Sequence, residues 1–179
     1  MANALKVIAF AASTSKQSIN KKLVTYATSL LEGCDVEILD LNDYEMPLFS
    51  VDKEEEIGQH SLAQELLTKI GGADVVIISF AEHNSSFSAA YKNTLDWCSR
   101  IESKVYQGKD AVYLSTSPGK RGGANVMRTA LETAERFGAN VKAHFSLPSF
   151  QENFDTESMR ISNPEFDREL RNTMRTIQS

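Results

Sequence analysis

Apolar and polar positions along this chain fall into a repeating block. A short apolar run ends in a polar turn, and the turn opens into a stretch whose apolar residues recur every three or four positions. Leu5 to Ala11 is the first such run, rich in β-formers. Helical spacing follows from Ile19 to Leu31 through Ile19, Leu23, Tyr26 or Ala27, and Leu30, with Gly33 as its stop. Asp35 to Leu41 alternates and reads as a second strand. Asn42 to Glu56 shows no period, contains Pro47 and several acids, and is expected to be a long irregular loop. Helical period returns from Ile57 to Ile70 and ends at Gly71-Gly72. Asp74 to Phe80 is continuously apolar after its first residue, as a central strand buried on both faces would be.

The second half repeats the scheme. A helix is expected from Phe87 to Ile101, a strand over Asp110 to Thr116, and a helix from Gly122 to Phe137 stopped by Gly138. A fifth strand over Val141 to Leu147 and a closing helix from Pro164 to Ile177 complete the chain. Strand and helix alternating five times predict an α/β fold, a three-layer sandwich of five parallel strands with helices on both faces and right-handed crossovers. Nothing marks a boundary inside the 179 residues, which read as one domain.

Composition narrows the function classes. A net charge of -5 with scattered Lys and Arg argues against a nucleic-acid partner. No run is long enough to span a membrane, and Leu5 to Ala12 is too short for a signal sequence. Cys34 and Cys98 form no CxxC or zinc spacing and are expected as reduced thiols, which fits a cytoplasmic protein.

The candidate chemistry lies in the three polar turns after strands one, three and four. In an open parallel sheet, ligands bind just beyond the carboxyl ends of the strands. The first turn offers the hydroxyls of Ser13, Thr14, Ser15 and Ser18, the cation of Lys16, and Ile19 and Asn20 at a helix start. That set suits a phosphate, although Ser and Thr also cap helices without any ligand. The second turn, Glu82-His83-Asn84-Ser85-Ser86, is either a cap or a wall meeting the polar edge of a flat heterocycle. The third, Ser117-Pro118-Gly119-Lys120-Arg121-Gly122-Gly123, has glycines that permit close approach of backbone to a ligand, and is otherwise ordinary strand-to-helix punctuation. No GxGxxG follows the first strand, and no Ser or Thr follows Gly119-Lys120-Arg121, so neither the dinucleotide fingerprint nor a Walker loop is present. His60, His83 and His144 lie in different elements, and no nucleophile-base pair or metal cluster stands out, so a bound cofactor would have to supply the hard chemistry.

At these residues the chain resembles the NAD(P)H-dependent FMN reductases of the flavodoxin-like superfamily, from Lys6 to about Asp155. The first family motif, Gly-Ser-x-Arg-x-x-Ser-x-Asn, is matched by Ala12-Ser13-Thr14-Ser15-Lys16-Gln17-Ser18-Ile19-Asn20. The second, Pro-Glu-Tyr-Asn-Gly-Ser leading to Leu-Lys-Asn-Ala-x-Asp-Trp, is matched by Ala81 to Ser86 and Tyr91 to Trp97. The third, Ser-Pro-Gly-x-x-Gly-Gly, is intact at Ser117 to Gly123. The resemblance implies strand order 2-1-3-4-5 and FMN held non-covalently, its phosphate at Ser13, Lys16, Ser18 and Asn20 and its ring between the Glu82-to-Ser86 segment and the Ser117-to-Gly122 loop. It implies hydride transfer from NAD(P)H through FMN to a quinone, free flavin, azo compound or similar small acceptor. Homodimers or homotetramers are implied too, with the Lys92-to-Trp97 helix near the interface. Ser15 stands for the family's Arg, Ala81 for Pro, His83 for Tyr and Ser85 for Gly, which implies weaker retention of the flavin. A flavodoxin-type electron carrier and a flavin-free sensor module are the alternatives.

Overall fold

The computed structural model describes residues 4–178. The elements in chain order are β1 (Leu5–Ala12), α1 (Ile19–Ser29), β2 (Cys34–Leu39), a 3-10 turn (Leu41–Tyr44), α2 (Val51–Ile57) and α3 (Ser61–Gly72). Then come β3 (Val75–Phe80), β4 (Glu82–His83), β5 (Ser86–Phe87), α4 (Ala89–Ile101), β6 (Asp110–Thr116), α5 (Ala124–Thr133) and β7 (Asn140–Leu147). The chain closes with α6 (Phe150–Asn153), β8 (Phe154–Asp155), β9 (Arg160–Ile161) and α7 (Pro164–Arg175).

Five strands form one parallel sheet in the order β2-β1-β3-β6-β7, which is the expected 2-1-3-4-5 of a flavodoxin-like fold. Side chains alternate across each strand, and that alternation sorts the core into two layers. Val7, Ala9, Val75, Ile77, Val112 and Leu114 face α1 and α7 through Leu23, Ala27, Leu170 and Met174. Ile8, Phe10, Val76, Ile78 and Tyr113 face α3, α4 and α5 through Leu66, Ile70, Leu95, Cys98, Val126 and Ala130. Helices cover both faces, so every residue of β3 is buried, and this is why its sequence reads as an unbroken apolar run. Among the described residues no helix is long and apolar enough to cross a membrane. Cys34 and Cys98 are both free thiols, and burial pushes Cys98 up to about 12.

Two stretches differ from the sequence reading. The segment Asn42 to Glu56, expected as an irregular loop, holds most of the 3-10 turn and of α2. Ser50 caps α2 by accepting from the Lys53 amide, but α2 buries none of its residues, so no apolar period betrays it. Gly58 at φ 72° ends α2, and α3 therefore begins at Ser61 rather than Ile57, capped by His60, whose Nδ1 accepts from the Leu62 amide. The segment Glu82 to Phe87, expected as a turn entering a helix, is a two-residue hairpin instead, with Glu82 opposite Phe87 and His83 opposite Ser86.

Candidate functional site

Register decides whether the three polar turns meet. Ala12 pairs with Phe80, and Phe80 with Ser115, so β1, β3 and β6 end level with one another. Neighbouring strands are about 4.8 Å apart, which puts three adjacent turns within roughly 10 Å at one edge of the sheet. Thr116 pairs with Leu147, so the exit of β7 joins the same rim.

In the first turn the hydroxyls are engaged locally. Ser13 Oγ accepts from the Ser15 amide, Ser15 Oγ from the Gln17 amide, and Ser18 Oγ caps α1 by accepting from the Lys21 amide. A hydroxyl that accepts a backbone N–H still has its own proton to give. These three therefore remain donors, and the first amides of α1, at Ile19 and Asn20, have no carbonyl of their own helix to bond. Lys16 is exposed and, among the described residues, has no ion-pair partner, whereas Lys21 is paired with Asp40. Three hydroxyl protons, two free amides, a helix N-terminus and one free cation form a donor set complementary to a phosphate.

Asn20 is placed differently from the rest of its motif. Its side chain is buried and aimed into the protein: Oδ1 accepts from Ser79 Oγ at 2.8 Å and from the Thr116 amide at 3.0 Å, and Nδ2 donates to the Thr116 carbonyl at 3.2 Å. Only its backbone amide is left for a ligand. The side chain ties α1 to the ends of β3 and β6.

The hairpin of β4 and β5 turns on Asn84 and Ser85, at φ 49° and 64°. Both central residues are left-handed, as a two-residue hairpin loop requires, and glycine is the usual occupant of the second place. His83, Asn84, Ser85 and Ser86 are exposed along its tip. Its apolar residue, Phe87, rests on Phe80 and Tyr91, and Phe80 in turn meets Tyr91 and Tyr113, mostly edge to face at centroid distances of 5.0–5.6 Å. Glu82 points away from the exposed tip. Its carboxylate accepts from the amides of Asn125 and Val126 at 2.9 and 3.0 Å, at the start of α5. That helix needs the help, because its capping position is Gly123, which has no side chain to offer.

The third turn divides into two halves. Pro118 and Gly119 are exposed, and a Cβ placed on Gly119 would meet nothing nearer than Ser117 Oγ at 3.8 Å. Gly122 is buried at φ 57°, and a Cβ there would lie 2.9 Å from the carbonyl carbon and oxygen of Leu147. Its missing side chain makes room for the exit of β7, not for a ligand. Close approach to a ligand is open only at Ser117-Pro118-Gly119. Lys120 and Arg121 are exposed beside it, with no ion pair among the described residues.

Every pair of turns is tied by a side chain. Ser88 Oγ donates to the Ala12 carbonyl at 2.7 Å and joins the second to the first. Asn20 joins the first to the third, and Glu82 the second to the third. The β7 exit is fastened to the third by the Ser149 amide on the Gly119 carbonyl and the Phe150 amide on the Ser117 carbonyl, at 3.0 and 3.1 Å. Ser79, Ser88, Thr116 and Glu82 thus hold the rim together, and the first three were not visible as site residues in the sequence. A second fastening lies alongside. Asn93 Oδ1 accepts from the Phe49 amide, Asn93 Nδ2 donates to the Met46 and Pro47 carbonyls, and Trp97 Nε1 donates to the Pro47 carbonyl at 2.7 Å. These two residues of the Lys92-to-Trp97 motif pin the segment after β2. Between it, Thr14 and α4 lies a groove of about 400 Å³. The match of Asn93 and Trp97 to the second family motif was the available signal for this contact.

The sequence model of a family described as NADPH-dependent FMN reductase matches residues 5–152. The chain belongs to the NADPH-dependent FMN reductase family. It is accordingly an oxidoreductase, of a family whose cofactor is FMN and whose electron donor is NAD(P)H. Within reach of this FMN reductase chain in sequence is a quinone reductase of Escherichia coli K12, 30% identical over 125 residues, covering 69% of the chain and 66% of that relative. An NADPH:quinone oxidoreductase of Arabidopsis thaliana is 32% identical over 123 residues, 66% of the chain and 61% of its own length. The chain thus spans somewhat under two thirds of the length of these two relatives. In fold it is similar to the NAD(P)H:(acceptor) oxidoreductase FerB of Paracoccus denitrificans, with a TM-score of 0.75 at 22% identity, covering 96% and 93% of the two chains.

Proposed function

We propose that this chain binds FMN at the rim of β1, β3 and β6 and passes electrons from NAD(P)H through it to a small acceptor, a quinone, free flavin or azo compound. The observation that carries the reading is the level, mutually fastened set of three turns, the first of which keeps hydroxyl protons, helix-start amides and the Lys16 ammonium uncommitted. The residues fit the group. The hydroxyls of Ser13, Ser15 and Ser18, the amides of Ile19 and Asn20 and the ammonium of Lys16 would hold the phosphate. The ring would lie between the exposed hairpin tip at His83 to Ser86 and the backbone of Ser117, Pro118 and Gly119. When bound, FMN supplies the redox chemistry by taking a hydride from the nicotinamide and returning two electrons to the second substrate.

The protein's own part is binding and orientation. The ties at Ser88, Asn20 and Glu82 fix the turns before any ligand arrives, so little ordering is left to be done on binding. No side chain at the rim needs to act as acid or base for hydride transfer. Quinone- and azo-reducing relatives support the acceptor class, because acceptors of that kind need only a flat face beside the ring. Leu48 at 82% and Val51 at 58% exposure, next to α4, support assembly as a homodimer or homotetramer through this side.

The test is direct. Added FMN should stay with the protein through gel filtration, and the holoprotein should oxidise NADPH in the presence of menadione. Lys16→Ala should weaken FMN binding about tenfold, the worth of one charge-assisted contact. Absence of retained flavin absorbance, or retention without NADPH or NADH turnover, would count against the reading.

A further inference from the structure

Glu82 sits in the second family motif, at the start of the hairpin that would form one wall of the ring slot, yet its carboxylate does not face the slot. It bonds two amides and the Asn125 Nδ2 at the start of α5, directly behind the third turn. The two amide bonds, at 2.9 and 3.0 Å, converge on the same oxygen, Oε2, while Oε1 faces Asn125 Nδ2 at 3.4 Å. The hairpin has two residues per strand, too few to hold an orientation alone. The third turn runs through Gly122 and Gly123, both at positive φ, into a helix with no cap of its own. Each wall has other supports, the hairpin through Phe87 and the third turn through Asn20, Ser149 and Phe150, but this carboxylate is the side-chain tie between the two.

We infer that Glu82 is a positioning residue that sets the spacing between the hairpin and the Ser117-to-Gly119 backbone, and with it the fit of the flat ring. The inference rests on the flavin reading above. It assigns Glu82 to the ring half of the ligand and not to the phosphate half. An electron-transfer slot depends on the separation of its walls, so a longer or shorter tie should alter ring binding while the first turn stays as it is. The charge matters less than the reach. An amide oxygen at the same place still accepts from two N–H groups, whereas an aspartate keeps the charge and loses one methylene of length.

The experiment uses FMN and riboflavin as paired probes, since riboflavin carries the ring without the phosphate. Dissociation constants are measured by flavin fluorescence on the full chain and on Glu82→Gln, Glu82→Asp, Glu82→Ala and Lys16→Ala. Visible circular dichroism of the bound flavin reports the ring's surroundings. Lys16→Ala should weaken FMN and leave riboflavin unchanged. Glu82→Asp and Glu82→Ala should weaken both probes by the same factor, about tenfold or more, with an altered flavin dichroism, and Glu82→Gln should stay within about threefold of the native chain. The result that overturns the inference is a folded Glu82→Asp or Glu82→Ala protein with native affinity for both probes, or with a loss confined to FMN. If Glu82→Ala fails to fold, the contrast between Glu82→Gln and Glu82→Asp decides alone. If the native chain binds neither probe, the flavin reading itself falls. If it binds both and only the Glu82 variants behave as native, the flavin reading stands and the positioning role falls.

Discussion

The turn at Ser13 to Asn20 and the turn at Ser117 to Gly123 look alike as sequence, each a string of small polar residues between a strand and a helix, but they are built on opposite plans. The first holds itself. Ser13, Ser15 and Ser18 each accept an amide from within three residues, and the helix after it carries its own cap. The third is held by others: by Asn20 from 96 residues away, by Glu82 from 43, and by the amides of Ser149 and Phe150. Its glycines serve packing at one end and exposure at the other. A self-supporting turn can afford loose, unpaired donors for a ligand. A turn supported from outside transmits any change in its supports.

The difference is broken most severely at the glycines. Gly122→Ala would force a Cβ to within 2.9 Å of the Leu147 backbone at φ 57°. We expect a loss of about 3 kcal/mol in urea unfolding, from overpacking and left-handed strain together. Gly119→Ala, three residues earlier, should change stability by less than about 0.5 kcal/mol. Equal effects at the two positions would mean that the turn is not divided as described.

Asn20→Ala comes next. It leaves the Thr116 amide and carbonyl and the Ser79 hydroxyl without their partner in a buried place. A cost of about 2 kcal/mol is expected, read by denaturant unfolding. Flavin affinity should fall as well, because the tie between the first and third turns is gone. A variant as stable as the native chain would show that Asn20 faces a ligand and not the strand ends.

The pattern of what was legible follows from the range of the interactions. Strands β1, β3 and β6 were readable because burial on two faces leaves an unbroken apolar signature, as in Val75 to Phe80, whereas the sheet order came from the family resemblance and not from the apolar pattern. The cap of Ser18 obeys local rules and was within reach of the same reasoning, whereas the cap of α4, expected at Asn84, Ser85 or Ser86, is Ser88, because the intervening hairpin delays the helix. Helix α2 was not, since it buries nothing. The hairpin was not, since two residues per strand cannot show an alternation. Asn20, Glu82 and Gly122 stood out as polar or flexible residues at the right rim. Whether such a residue meets a ligand or a distant backbone group depends on the fold and not on its neighbours in the chain.

A smaller effect sharpens the contrast within the second turn, which stands between the other two. Ser85 holds φ 64° without being glycine. Ser85→Gly should stabilise the chain by about 1 kcal/mol, the cost of a left-handed serine less glycine's extra entropy. For a chain of this length that is a rise of about 3 °C in melting temperature. An unchanged or lower melting temperature would indicate that the serine has a compensating contact.

The smallest effect concerns charge at the first turn. Lys21, in the first turn of α1, is paired with Asp40 at the start of the 3-10 turn, whereas Lys16 has no ion-pair partner among the described residues. The Lys21 ammonium and the Asn42 amide hold the Asp40 carboxyl at about 2, below the ordinary 3.8. A group whose proton is held less tightly in the folded chain stabilises it above the unfolded value and ceases to do so as pH falls through the folded one. The gap in unfolding free energy between the native chain and Asp40→Asn should therefore be present at neutral pH, shrink below about pH 4 and close near pH 2. The pair is partly exposed, and solvent screening keeps the gap under about 1 kcal/mol. The Asn20 tie to the third turn carries no titrating group, so the stability cost of Asn20→Ala should stay constant over the same range. A cost that fell in parallel with the Asp40 gap would mean that the two turns share one support, and the contrast between a self-held and an outwardly held turn would be lost.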